Sequence, residues 1–180
     1  EIETICPLHG PVWRKDIGWF IDKYVHWATY KPEQQAVVIA YASVYGGTEN
    51  AANILACRLR EQGVQVEMFD TSVTPASYIL AAAFRFSHVV LAAPTYNGGV
   101  FVTMENLLHD LTAHGLKGRR AAYIENGSWA PTSARGMQKL LEPLNWETAA
   151  DTVTLRSALR QGQQEDLERM AMQLAESVKA

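Results

Sequence analysis

The chain has 180 residues, of which 48% are hydrophobic and 19% are charged, and its formal net charge is −3. This composition is typical of a globular protein with a sizeable core and excludes a disordered chain. The slightly acidic balance gives no electrostatic footprint for nucleic acid, and no apolar run approaches the roughly 20 residues of a membrane span. We therefore expect one main domain with an appendage, and neither nucleic acid nor a membrane as a partner.

The cysteines and the N-terminus bear on the cellular compartment. Cys6 and Cys57 lie far apart in the sequence, and neither belongs to a CxxC pair, which makes a disulfide framework a poor interpretation. The N-terminus has no basic segment followed by an apolar core, as a secretory signal peptide would. These features predict a cytoplasmic protein in a reducing environment.

The chain begins with an irregular segment followed by a helix. Residues 1–14 are broken by proline and glycine. Apolar residues then recur at helical spacing from Ile17 to Ala28, with Asp16 in the capping position and Pro32 after the end of the pattern. We predict an amphipathic helix whose apolar stripe packs on the following domain or on a partner copy.

From residue 36 onwards, strand patterns and helix patterns alternate. The strand patterns cover residues 37–40, 64–69, 88–92, 121–124 and 148–155, with a basic turn at 118–120 before the fourth. The helix patterns cover residues 51–61, 75–85, 101–114, 132–141 and 163–178. This alternation predicts an α/β three-layer sandwich with right-handed crossovers around a five-stranded parallel sheet, in the order 2-1-3-4-5.

The segment 36–50, AVVIAYASVYGGTEN, combines a buried strand, a turn rich in hydroxyls and glycine, and the start of a helix. This order builds an anion site, because the first amides of a helix lack intrahelical partners and lie at the positive end of its dipole. The turn lacks both the lysine of GxxxxGK[ST] and the spacing of GxGxxG, which argues against a triphosphate or a dinucleotide. The hydroxyls of Ser43 and Thr48 are suited to one phosphate monoester. Alternatively, Thr48 is only a helix cap and the glycines only a tight turn.

Two further loops of similar composition follow predicted strands. They are APTYNGGV at 93–100 and ENGSWAP at 125–131, and each combines glycine with one aromatic residue, Tyr96 or Trp129. Glycine lets the backbone approach a flat ligand, and an aromatic ring stacks on the face of that ligand. Because ligands of parallel sheets bind beyond the carboxyl ends of the strands, the three loops together predict a planar aromatic phosphate ligand, with Tyr96 or Trp129 against its ring.

These loops resemble those of the flavodoxin-like family, which implies that the ligand is FMN. The phosphate loop and the two ring-flanking loops of that family then correspond to Ser43, Val44, Tyr45, Gly46, Gly47 and Thr48, to Pro94, Thr95, Tyr96, Asn97, Gly98 and Gly99, and to Asn126, Gly127, Ser128 and Trp129.

The stretch ICPLHGPVWR at 5–14 resembles the end of the metallo-β-lactamase-like domain of flavodiiron proteins, also called A-type flavoproteins. The resemblance implies that residues 1–15 are the tail of that domain, 16–35 a linker helix and 36–180 a flavodoxin-like FMN-binding domain. It also implies that His9 is a diiron ligand in the parent protein. The HxExDH motif that supplies other ligands is absent from this sequence, so we expect no diiron centre within this chain.

The resemblance implies an FMN-binding electron-transfer domain of a flavodiiron-type oxidoreductase, which passes electrons to a diiron site outside this chain for reduction of O2 or NO. Its implied partners are a rubredoxin or similar electron donor, the catalytic diiron domain, and further copies in a homodimer or larger assembly. No pattern supplies a positioned nucleophile or paired carboxylates, so no catalytic residue is predicted. The alternatives are a stand-alone flavodoxin-like electron carrier or FMN-dependent quinone reductase, and a phosphate-binding module without flavin.

Overall fold

The computed structural model describes residues 2–180, in which helices cover both faces of a central sheet. The helices are α1 (Ile17–Ala28), α2 (Gly47–Glu61), α3 (Ala76–Arg85), α4 (Val102–Ala113), α5 (Ser133–Leu141) and α6 (Gln161–Lys179), with a short 3-10 helix at Glu142–Leu144. The strands are β1 (Gln34–Tyr41), β2 (Val66–Asp70), β3 (Phe86–Tyr96), β4 (Gly99–Val100), β5 (Arg120–Asn126), β6 (Glu147–Thr148) and β7 (Val153–Leu155). Within residues 2–180, no helix combines the length and the hydropathy that a bilayer crossing requires.

The sheet confirms the predicted α/β class and the predicted strand order. Its parallel strands run β2-β1-β3-β5-β6, which is the order 2-1-3-4-5 when β6 and β7 together are counted as the fifth strand. The predicted number of five strands is wrong, because the described part of the chain forms seven. One extra strand is β4, which folds back antiparallel on the end of β3.

The other extra strand arises because the predicted strand 148–155 is interrupted. Both of its parts pair with β5, but β5 advances three residues between the paired positions Ala121↔Thr148 and Ile124↔Val153, whereas its neighbour advances five. The two additional residues cannot stay in register and leave the ladder, which divides one strand into β6 and β7.

Side chains of β1 point alternately into two separate cores. Val38 and Ala40 lie in the core under α3, α4 and α5, and Val37 and Ile39 lie in the core under α2 and α6. A strand that is buried on both faces requires a continuous apolar run rather than an alternating one, which explains the sequence of β1.

Helix α1 forms where the periodicity predicts it but buries none of its residues within this chain. Trp19 and Tyr24 on α1 remain more than half exposed. Asp16 occupies the N-cap position of α1 as predicted, but its φ is 53° and its side chain makes no capping hydrogen bond.

A buried histidine connects β3 to α6. His88 is 1% exposed; its Nδ1 lies 2.7 Å from Ser87 Oγ, and its Nε2 lies 2.9 Å from Ser177 Oγ. Burial, assisted by the charge of Arg120, lowers the pKa of His88 from 6.5 to about 4. The imidazole is therefore neutral in the folded protein at physiological pH.

We expect the free energy of unfolding to fall by about 3 kcal/mol as the pH is lowered from about 6.5 to about 4, through His88 alone. In this window the unfolded chain binds a proton that the folded chain excludes, so acid favours unfolding. Urea unfolding at several pH values measures the effect, and a His88→Gln variant should flatten the curve because glutamine does not titrate. The exposed His109 offers the matched control His109→Gln; an equal flattening in both variants would contradict the assignment.

Candidate functional site

A cleft of about 460 Å³ opens at the carboxyl edge of the sheet, between the loops that follow β1, β3, β5 and β7. None of the residues that line it has a charged side chain. The lining residues are Val44, Tyr45, Gly47, Pro94, Thr95, Tyr96, Phe101, Asn126, Gly127, Ser128, Ser157 and Ala158.

The N-terminus of α2 enters this cleft with free backbone donors. Gly46, with a φ of 82°, occupies the cap position, no side chain caps the helix, and the Gly46 N–H donates to Ser43 Oγ at 3.1 Å. The first amide that bonds back is that of Asn50, which donates to Gly46 O at 2.8 Å. Among the described residues, the amides of 47–49 therefore have no acceptor, and the positive end of the α2 dipole is open to an anion.

Thr48 lies in the first turn of α2 rather than at the cap, so the alternative interpretation of Thr48 as an N-cap is wrong. The residue is 2% exposed, and its Oγ1 accepts a hydrogen bond from Asn126 Nδ2 at 3.3 Å. The hydroxyl proton of Thr48 thus has no acceptor among the hydrogen bonds of residues 2–180 and can donate to a ligand.

Asn126 joins the end of β5 to the segment that follows β7. Its Nδ2 donates to Ser157 O and its Oδ1 accepts from the Ser157 N–H, both at 2.9 Å. The Ser157 carbonyl in turn lies against Gly47, where an added Cβ would stand 2.4 Å from that oxygen. Only glycine therefore fits at position 47 in this arrangement.

The N-terminus of α5 also faces this edge but is already satisfied by the protein itself. Thr95 Oγ1 accepts from the N–H groups of Thr132 and Ser133 at 2.8 and 3.2 Å, and Glu125 Oε2 accepts from the Ala134 N–H at 3.1 Å. The carboxylate of Glu125 occupies the place that an anionic ligand would take. Of these two helix N-termini, only that of α2 has backbone N–H groups available to bind a ligand.

The second predicted loop contributes its first half to the cleft. Tyr96 lines it and packs edge-on against Phe101, with the ring centroids 5.7 Å apart. Asn97 and Gly98 have φ values of 49° and 76° and form the turn that connects β3 to β4. These two residues reverse the direction of the backbone between β3 and β4 and do not line the cleft.

The structure brings nine of the sixteen predicted ligand-contact residues into the lining. The remaining seven lie nearby in the same loops without lining it: Ser43, Gly46, Thr48, Asn97, Gly98, Gly99 and Trp129. Trp129 is 93% exposed. Three lining residues were not predicted, namely Phe101, Ser157 and Ala158. Ser157 and Ala158 lie in the loop after the fifth predicted strand, which belongs to the same edge of the sheet by topology.

His9 lies in the exposed N-terminal segment, which is closed by two backbone hydrogen bonds between Ile5 and Trp13. Across residues 2–180, no group of three or more histidine, cysteine, aspartate or glutamate side chains is placed to hold a metal ion. The role of His9 as an iron ligand of a parent protein stays a prediction.

No family model matches this chain, but individual proteins do. The nitric oxide reductase of Moorella thermoacetica is 33% identical over 141 residues, which cover 78% of this chain and 34% of that protein. The chain spans between a quarter and a little under half of the length of the first curated relatives it matches.

Solved structures match over nearly the whole chain. The rubredoxin oxygen:oxidoreductase of Desulfovibrio gigas superimposes with a TM-score of 0.91 at 25% identity, covering 98% of this chain and 44% of that one. The flavodiiron protein of Giardia intestinalis gives 0.89 at 21% identity, covering 99% and 45%. A Streptococcus pneumoniae flavodoxin gives 0.68 at 23% identity, and here the match covers 79% of this chain but 99% of the flavodoxin.

The fold is flavodoxin-like. This match to an entire flavodoxin, together with the parallel sheet and its strand order, confirms the predicted fold class. The proteins that match over nearly the whole chain include the rubredoxin-oxygen oxidoreductase of Megalodesulfovibrio gigas, at 26% identity, and the flavodiiron protein of Giardia intestinalis, and this chain covers less than half of each.

Proposed function

We propose that this chain binds FMN in the cleft and serves as the electron-transfer domain of a flavodiiron-type oxidoreductase, whose diiron site lies outside the chain. The observation that carries the proposal is the open N-terminus of α2 in an uncharged cleft that also has aromatic side chains in its wall. Bound FMN supplies one- and two-electron transfer between a donor and an acceptor. The protein has to hold this group, orient it and shield it.

The residues present fit a phosphate monoester joined to a flat ring. The amides of 47–49 and the hydroxyl of Thr48 provide neutral donors for the phosphate, and the α2 dipole replaces a lysine or arginine. Tyr96, held by Phe101, offers a ring face for stacking, which contributes about 0.5–1.5 kcal/mol beyond burial. Trp129 remains a second candidate for that role because its exposed ring has no fixed partner among the described residues.

The names of the relatives support the proposed partners, whereas the proposed domain division rests on the resemblance of the sequence at 5–14. A rubredoxin-type protein is the proposed electron donor, because one matched structure is a rubredoxin oxygen:oxidoreductase. We retain residues 1–15 as the tail of a metallo-β-lactamase-like domain that carries His9, 16–35 as a linker helix, and 36–180 as the FMN-binding domain. The acceptor is then a diiron domain, in the same polypeptide or in the other subunit of a homodimer, that reduces O2 or NO.

The decisive experiment identifies the cofactor of the purified chain. We expect a yellow protein that releases a compound with the absorbance spectrum and the mass of FMN on denaturation, at close to one per chain. After removal of the flavin, titration should give tight binding of FMN and much weaker binding of FAD and NAD. A colourless chain that does not bind FMN on titration would refute the proposal. NADPH oxidation with a quinone acceptor would instead indicate a quinone reductase.

We expect Thr48→Ala to weaken FMN binding by about ten-fold, because one hydrogen bond to a charged phosphate is lost. Thr48→Ser keeps the hydroxyl and removes only the methyl group, so it serves as the matched control and should bind FMN almost as the parent chain does. Fluorescence titration of both apoproteins measures the difference. Equal FMN affinities in the two variants would show that the Thr48 hydroxyl does not bind the phosphate.

A further inference from the structure

We propose that Asn126 is a positioning residue that sets the affinity of the cleft for phosphate through Ser157, without itself contacting the phosphate. This inference rests on the proposed function. The segment 156–158, which follows β7, forms the fourth wall of the cleft beside the loops after β1, β3 and β5. The Asn126 side chain holds this wall in place.

Asn126 is suited to hold a backbone segment. Asn126 is 7% exposed, and its side chain exchanges both hydrogen bonds of a peptide group with Ser157: Nδ2 donates to the carbonyl and Oδ1 accepts from the N–H. Ser157 has a φ of 66°, in the left-handed region that a serine rarely adopts. Such a conformation persists only where the surrounding contacts maintain it, and the Asn126 amide supplies two of them.

The Ser157 carbonyl lies close to Gly47, the first residue of α2. It approaches Gly47 so closely that a Cβ there would stand 2.4 Å away, while the amides of 47–49 have no acceptor among the described residues. A backbone oxygen without a partner in this position would turn towards those amides, because an unsatisfied acceptor and a helix N-terminus attract each other. By occupying this oxygen, Asn126 Nδ2 keeps the α2 amides available for a phosphate.

A second contact closes the fourth wall. Ser128 Oγ and Ser157 Oγ lie 2.9 Å apart, so one of the two hydroxyl protons is used between them. This contact joins the two exposed side chains, whereas the hydrogen bonds to the Ser157 backbone come from the Asn126 side chain. The competition between the Ser157 carbonyl and the phosphate therefore depends on position 126.

The test compares FMN with riboflavin, which lacks the phosphate, on apoproteins of the parent chain, Asn126→Ala and Asn126→Asp. Asn126→Ala should weaken FMN by about ten-fold and riboflavin by less than about two-fold. Asn126→Asp should weaken FMN further at pH 7.5, because the carboxylate loses the donor and adds negative charge beside the phosphate. At pH 5 its affinity relative to the parent chain should recover, because burial and the nearby phosphate raise the pKa of the introduced carboxyl, and the protonated carboxyl again offers one donor and one acceptor.

Asn53→Ala is the matched control, since Asn53 is an exposed amide of α2 that donates to Glu49 O at 3.0 Å on the same helix. It should leave both affinities unchanged. Equal loss of FMN and riboflavin in Asn126→Ala, or no loss, overturns the inference while leaving FMN binding itself intact. A parent chain that binds no FMN overturns the proposed function and this inference together. If Asn126→Ala does not fold, the test is the recovery of FMN affinity by Asn126→Asp at pH 5. If this affinity does not recover, the inference is overturned.

Discussion

Replacing Gly47 with alanine is expected to lower FMN affinity by about 100-fold or more. The new Cβ would meet the Ser157 carbonyl at 2.4 Å, a distance that real Cβ atoms do not reach, and Asn126 Nδ2 at 3.3 Å. Either the segment 156–158 or the start of α2 has to move. Each movement misaligns the amides of 47–49, and the loss of two hydrogen bonds to a charged group corresponds to at least two orders of magnitude in affinity.

Gly18→Ala is the matched control, because a Cβ on Gly18 meets no atom within 4 Å and its backbone is helical. It should keep full FMN affinity and slightly favour α1, since alanine exceeds glycine in helix propensity. Titration with FMN gives the affinities, and circular dichroism verifies that Gly47→Ala is folded. A folded Gly47→Ala chain with the affinity of the parent would show that the phosphate does not bind at the start of α2.

Removing the guanidinium of Arg119 is expected to lower the melting temperature by about 10 °C. Arg119 is 2% exposed and donates to five backbone carbonyls, at distances from 2.6 to 3.2 Å. Two of these carbonyls, of Ala83 and Phe84, belong to the end of α3, where helical carbonyls lack partners and a cation complements the dipole. The others belong to Tyr30, after α1, and to the turn before β5.

Burial lowers the pKa of Arg119 to about 10, so the group stays charged at neutral pH. In Arg119→Ala the carbonyls lose this shared donor, at a total cost of about 3–5 kcal/mol, because each buried acceptor left unsatisfied costs about 1–3 kcal/mol. A chain of this size loses about 2–4 °C per kcal/mol. Arg119→Lys should be intermediate, because an ammonium cannot present five donors in a fork. Calorimetry beside the exposed control Arg135→Ala measures the effect; a decrease no larger than that of the control would contradict this role.

The sequence by itself determined the class and the order of the fold. Apolar periodicity is a local property, so the strand patterns at 37–40 and 88–92 and the helix patterns around α2, α4 and α6 correspond to elements of the structure. The general rules for parallel sheets then bring the loops after β1, β3 and β5 to one edge. The loops at 43–48, 93–100 and 125–131 accordingly meet around one cleft.

The tertiary structure decided which residues of those loops face the cleft and what each one does. A composition of hydroxyls, amides and glycines does not distinguish a side chain that binds a ligand from one that caps a helix. Thr95 fills the N-terminus of α5, and Asn126 holds Ser157. Both roles depend on partners more than 30 residues away in the sequence, and no local pattern contains them.

The tertiary structure likewise decided the features that depend on register. The division of the fifth strand into β6 and β7 follows from two residues that have no counterpart in β5, and pairing with a neighbouring strand is not visible in one segment alone. This interruption precedes the segment that carries Ser157 to the cleft. Arg119 appears in the sequence as part of a basic turn, but the end of α3 and the residues after α1 enclose it in the fold. Its five acceptors come from three separate parts of the chain, because only the packed structure brings these carbonyls together and makes their desolvation costly.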